Sequence, residues 1–203
     1  MKRMLRPSLM IGVAAIVFLA LASASGAQQA GVFEPFGFRA GMTRAEVIAA
    51  VGRQAVIKNV GDMLVLSTAP APNPEFDMYI VLVPSTTGLA EVKAFSNITE
   101  TDAYGDRLKD KFAEVQTALK NQYSDPTISF DFVRPGSMLK EPGDWMTELF
   151  NKERALSAFW TTNPQMTIAL DALALAPDKG YVVVTYQFAN FAFAEREHNA
   201  NKD

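Results

Sequence analysis

Apolar and polar positions change period several times along this chain, and the changes mark its elements. Between Thr43 and Gly52 the apolar residues Val47, Ile48 and Val51 fall on one helical stripe. Thr43 with Glu46, three positions on, predicts a capping box, Met42 and Val47 flank it as a hydrophobic staple, and Gly52 supplies the left-handed residue that ends the helix. Just before, Phe36 and Phe38 alternate with Gly37 and Arg39 like a short strand with one buried face. Residues 55–58 and 63–68 are β-rich runs separated by Asn59-Val60-Gly61-Asp62, the chemistry of a hairpin turn.

The three prolines at 70, 72 and 74 predict an extended surface loop. Residues 76–83 follow as a strand whose Ile80-Val81-Leu82-Val83 run indicates burial on both faces, and 89–98 as another. Over 102–123, Leu108, Phe112, Val115, Leu119 and Tyr123 recur at helical spacing, which predicts the longest helix. Signals weaken across 127–143, where Pro135-Gly136 and Pro142-Gly143 frame a loop that is also a plausible binding element. A short helix over 144–151 precedes strands at 154–161, 166–175 and 181–188, the last two joined by the tight turn Pro177-Asp178-Lys179-Gly180. The end, 190–203, is polar and expected to be helical or frayed. The order predicts an α+β fold: a mostly antiparallel β-sheet with helices packed on one face, with a hint of two similar halves.

The N-terminus changes the accounting. Lys2, Arg3 and Arg6 precede the apolar run 9–21, and Ser25-Gly26-Ala27 offers small residues for a signal peptidase, so residues 1–27 are expected to be a signal peptide cleaved before Gln28, with Ala24 as the fallback site. The expected organisation is then one α+β domain over 28–190 and a polar tail over 191–203. The run is shorter than the usual membrane span, which leaves no stable span after cleavage.

Losing Lys2, Arg3 and Arg6 takes the basic residues from 19 to 16 against 22 acidic ones, a net charge of −6. Nucleic acid and anionic membrane surfaces are poor partners for such a chain. The chain has no cysteine, which excludes disulfides, thiol catalysis and cysteine-based zinc sites. A periplasmic or secreted bacterial protein fits these features. Asn97-Ile98-Thr99 matches a glycosylation acceptor, a triplet common by chance.

Candidate chemistry is sparse. The one histidine, His198, lies in the polar tail, where a solvated role is expected, and no Gly-x-Ser-x-Gly elbow exists. Asp77, Glu91, Asp131 and Asp171 lie in or beside apolar strand runs and are the candidates for a carboxylate-dependent hydrolase, although each is expected to face solvent. Glu100, Asp102 and Asp106 cluster at the start of the long helix, where acidic groups are favourable without a metal. Residues 37–41 lack the Lys-Ser/Thr pair of a phosphate loop. No cofactor and no metal ligand set is expected. Aromatic residues crowd both ends: Phe33, Phe36 and Phe38, then Tyr186, Phe188, Phe191 and Phe193. Core packing takes most of them, and Phe36, Phe38, Tyr186, Phe188, Phe191 and Phe193 are the candidate contacts for a partner or an apolar ligand.

The opening Gly41-Met42-Thr43-Arg44-Ala45-Glu46-Val47, closed by Val51-Gly52, resembles that of small exported α/β modules, the β-lactamase-inhibitor proteins and the BamE lipoproteins of the outer-membrane assembly machine. The likeness covers about a dozen residues; the lipidated cysteine is absent and no proline follows Gly52. It implies a helix-and-sheet module that binds other proteins through one sheet face. The expectation is therefore a non-enzymatic exported domain that binds an envelope protein, with an apolar-ligand carrier and a hydrolase as alternatives; the oligomeric state stays open.

Overall fold

A computed structural model describes residues 34–139, 141–162 and 166–201. The expected signal peptide over 1–27 and Phe33 lie outside the described residues.

The chain folds as α1 (Arg44–Val51), strands β1 (Val56–Val60), β2 (Met63–Leu66), β3 (Phe76–Leu82), β4 (Glu91–Ser96) and β5 (Thr99–Glu100), then α2 (Asp106–Tyr123), β6 (Ile128–Val133), α3 (Trp145–Phe150), β7 (Arg154–Thr162), β8 (Met166–Ala176), β9 (Lys179–Phe188) and α4 (Phe191–Ala200). The strands form one sheet in the order β1-β2-β3-β4-β9-β8-β7-β6, with β5 also paired to β9. All pairings are antiparallel. This is the α+β class expected. Two meanders, β1–β4 and β6–β9, meet through the last strand of each, because β4 pairs with β9.

The capping box forms as expected: Glu46 N donates to Thr43 Oγ1 at 3.3 Å and Thr43 N to Glu46 Oε2 at 2.7 Å. Met42 and Val47 are buried in the core. The start of α1 is stitched to the start of β4 by Gly41 N→Leu89 O and Leu89 N→Met42 O, both 2.8 Å. The long helix buries Leu108, Phe112, Val115 and Leu119 along one stripe. Trp160 of β7 donates from Nε1 to Ser124 O at 3.0 Å, satisfying a carbonyl that the end of α2 leaves free.

Period-two alternation sorts each strand's side chains between two faces. The face under α2 carries Leu64, Leu66, Tyr79, Val81, Val92, Ala94, Trp160, Ile168, Leu170, Val184 and Tyr186, which join the helix stripes in one core. Among the described residues no helix is long and apolar enough to cross a membrane.

Three local expectations differ from the structure. Phe36 and Phe38 do not form a strand: Pro35–Gly37 is a 3-10 turn with Phe36 at φ 54, ψ 25. That bend carries the Phe36 ring into edge-on contact with Phe76, Tyr79 and Tyr186, with centroids 5.3, 5.2 and 5.8 Å away. The expected loop 127–143 contains the six-residue strand β6. Its alternation of Ile128, Phe130 and Phe132 is a genuine period-two signal, but these side chains point away from the core, so the strand lacks a buried face. The polar end 191–201 is not solvated along its length: α4 is docked, as described below.

Candidate binding face

The face of the sheet away from α2 carries the alternate residues of every long strand, and the strand register arranges them in rows. One row runs Leu82, Glu91, Gln187, Thr167, Thr161 across β3, β4, β9, β8 and β7. The next runs Ile80, Lys93, Thr185, Ala169, Phe159, Ile128. The third runs Met78, Phe95, Val183, Asp171, Ser157, Phe130. In the first two rows polar groups take most of the central positions, whereas the third row carries Phe95 and Val183 there.

The polar centre is tied together. Lys93 Nζ lies 3.2 Å from Glu91 Oε1, Gln187 Nε2 donates to Glu91 Oε2 at 2.9 Å, and Thr167 Oγ1 donates to Gln187 Oε1 at 3.3 Å. These contacts cross three strands and hold the rim of a cavity of about 330 Å³, lined also by Phe159, Thr161, Ala169 and Thr185. Ala169 contributes the smallest side chain of that lining, and its neighbours in the row are larger, so the hollow opens above it. One row away, Ser157 Oγ donates to Asp171 Oδ1 at 2.5 Å. Burial raises the Asp171 carboxyl above its ordinary value of 3.8, against the lowering effects of Ser157 and Lys93.

On the β6 side the border is aromatic. Phe130 lies 5.2 Å from Phe132 and 5.9 Å from Phe159 between ring centroids. Ile128, Phe132 and Phe159 are 54%, 45% and 36% exposed.

At the other end α4 lies over this face. Ala194 packs with Leu82 and Ala90, against Met63 and Phe191. Glu197 accepts from Ser85 Oγ, Thr86 N, Thr87 N and Thr87 Oγ1 at 3.2, 2.8, 3.1 and 2.7 Å. The Thr87 hydroxyl and the Thr86 amide hold its carboxyl down to about 2. Asp62, in the β1–β2 turn, lies 3.1 Å from His198 Nδ1 and accepts from Asn201 Nδ2 at 3.2 Å. A groove of about 510 Å³ remains between α4 and the sheet, sharing Glu91, Lys93 and Gln187 with the hollow.

The six aromatic candidates separate. Phe38, Tyr186 and Phe188 are buried in the core, at 0%, 4% and 5% exposure. Phe36 and Tyr186 line a second cavity of about 290 Å³ between the first turn, residues 71–76 and α2. Burial raises the Tyr186 hydroxyl well above its ordinary value, and Tyr123 beside it adds to the shift. Phe191, the first residue of α4, packs against Leu82, Ala90 and Ala194, and Phe193 is exposed with the Arg196 guanidinium 4.7 Å from its ring. The structure therefore does not gather the six into one surface.

The carboxylate candidates do not converge either. Asp77 is exposed on β3, Glu91 and Asp171 are engaged on the open face, and Asp131 lies on the other face. Asp131 bonds Arg154, whose Nε donates to Glu148 Oε2 at 2.6 Å, and it accepts from Trp145 Nε1 at 3.3 Å. Glu148 is 1% exposed, and nothing in its sequence context marks it as a buried charge. At the start of α2, Asp102 Oδ1 accepts from Asp106 N at 3.3 Å, a cap rather than a ligand arrangement. Among the described residues no three acidic or histidine side chains are grouped to hold a metal ion.

Lys93, Ala169, Thr167 and Phe159 were absent from the candidates drawn from the sequence. The available signal was weak: polar residues such as Thr161, Thr167, Thr185 and Gln187 interrupt otherwise apolar strands, which hints at one less buried face. No family model, no curated protein and no solved structure matches the chain.

Proposed function

We propose that this chain is an exported domain without chemistry of its own that binds a protein of the cell envelope through the open face of its sheet. The observation that carries the reading is the hollow above Ala169, whose rim is tied by Glu91, Lys93 and Gln187 and whose wall Phe159 continues into an aromatic band with half-buried Phe130 and exposed Phe132. A pocket with a fixed polar rim and apolar walls suits an anchoring side chain of a partner, and such central anchors carry most binding energy in protein interfaces. The leader, the acidic net charge and the capped opening support the location and the module type.

The test is crosslinking of the tagged protein in intact cells of its source. Ala169→Arg fills the hollow from its floor and is expected to abolish the dominant crosslink, whereas Ala50→Arg on the exposed side of α1 leaves it. Undiminished crosslinking by Ala169→Arg would sink the proposal.

A second reading rests on the cavity beside Phe36 and Tyr186, which is aromatic-walled and large enough for a small apolar molecule. Native mass spectrometry of freshly purified protein decides it: a bound mass that Ala118→Trp removes supports this reading, and bare protein rejects it.

A further inference from the structure

Among the described residues the sheet ends in two edges that carry no further strand, β1 and β6, and they are built differently. An unpaired strand offers a row of amides and carbonyls to any other strand, and proteins normally blunt such edges with bulges and charges. β1 is blunted: its register shifts between Val56 and Lys58, Lys58 is exposed, and Arg44 of α1 hydrogen-bonds Asn59 and, at 2.6 Å, Gly61 O. β6 is not. It pairs with β7 over six residues with no register shift and carries neither proline nor lysine; only at its entry does Thr127 N donate to Phe159 O at 2.7 Å, one residue off that register. Its one charge, Asp131, is occupied by Arg154 and Trp145.

We propose that the outer edge of β6 docks a second copy of this chain, strand to strand and antiparallel, about a two-fold axis at Phe130. The chemistry such an edge demands is an added strand with apolar residues at alternate positions on the open-face side, to pair with Ile128, Phe130 and Phe132. β6 itself has that pattern. Arg134 N donates to Glu153 O at 2.6 Å in the same register as the β6–β7 pairs. By the alternation of an antiparallel ladder, the main-chain groups of Ser129, Asp131 and Val133 then point away from β7. With the axis at Phe130, the two Phe130 side chains face each other, Ile128 meets the partner's Phe132, and Ser129 meets the partner's Asp131. Moving the axis to Asp131 would set two carboxylates opposite one another, which disfavours that register. The axis at Phe130 also keeps both open faces on one side, so the aromatic border becomes the middle of a doubled face. This inference is independent of which protein the face binds.

Sedimentation velocity of the purified protein tests it, together with cysteine crosslinking in a chain that has no cysteine of its own. The expected result is a concentration-dependent dimer whose dissociation constant rises at least about tenfold in Ile128→Lys and is unchanged in Ile57→Lys on β1. Phe130→Cys is expected to oxidise to a disulfide-linked dimer, and Ile57→Cys to stay monomeric. A monomer throughout, up to about 1 mM, would overturn the proposal. So would crosslinking of Ile57→Cys as fast as Phe130→Cys, or aggregates of no fixed size.

Discussion

Trp145 lies across Gly105: a Cβ at residue 105 would stand 2.2 Å from Cε3 of the indole. Gly105 sits at φ 74 immediately before α2, so an alanine there meets both a left-handed backbone and an aromatic ring. The ring cannot yield freely, because Trp145 Nε1 bonds Asp131 and Lys109 lies 4.6 Å from its centroid. Gly105→Ala is expected to cost about 2–4 kcal/mol. Gly136→Ala, at φ 93 with no atom within 4 Å of the new Cβ, is expected to cost only about 1–2 kcal/mol. Urea denaturation of the two variants compares them, and equal losses would show that the contact with Trp145 contributes nothing.

Glu148 is a buried carboxylate compensated by Arg154. Arg154→Met leaves it without its cation and is expected to destabilise the fold by about 3–5 kcal/mol. Adding Glu148→Gln removes the stranded charge and should recover most of that loss. Asp131, 39% exposed, can return to solvent. A double-mutant cycle by chemical denaturation measures the coupling, and a single-variant loss below about 1 kcal/mol would refute the assignment.

Asp171 predicts a pH dependence on the open face. Its folded carboxyl titrates above the unfolded value of 3.8, chiefly through burial, so between the two values the folded state holds more protons than the unfolded one. Stability from this group is therefore full below 3.8 and is lost as pH rises through the folded value. Asp171→Asn, which keeps an acceptor for Ser157, is expected to be more stable than wild type at neutral pH. Thermal melts across the acid range check this. A variant less stable at neutral pH would contradict it.

Glu197 has the opposite sign. Its carboxyl is held down to about 2 from 4.5, first by the Thr87 hydroxyl and then by the Thr86 amide. The stabilisation it contributes to the docked α4 is present above 4.5 and is lost as pH falls through about 2. Amide exchange at Ala194 is expected to accelerate over that window in the wild type, and Glu197→Gln is expected to show fast exchange already at neutral pH. Exchange at Ala194 that ignores both pH and the substitution would show that the apolar contacts alone hold the helix.

Much of the fold was legible in the residues. The Thr43–Glu46 box, the stripe from Leu108 to Leu119 and the turn before β9 are local signals, decided by capping chemistry, periodicity and proline within a few positions. β6 was missed because an edge strand with its apolar residues on the open side lacks the buried face by which strands are recognised. Phe36 was misassigned because its conformation answers to Phe76, Tyr79 and Tyr186, three rings far away in sequence.

The candidate face was hardly legible at all, and the reason is physical. Sequence alone determined that strands with mixed faces exist, that no thiol chemistry is available, and that one long helix covers a sheet. Which residues share a row depends on register and on the joining of β4 to β9, and those are long-range pairings. Only the tertiary structure brought Glu91 to Gln187 and Thr167, opened a hollow above Ala169, buried Glu148 beside Arg154, and docked the polar C-terminal helix through Ser85, Thr86, Thr87 and Asp62. Local chemistry sets which element forms, whereas the packing of distant segments decides which side chains meet.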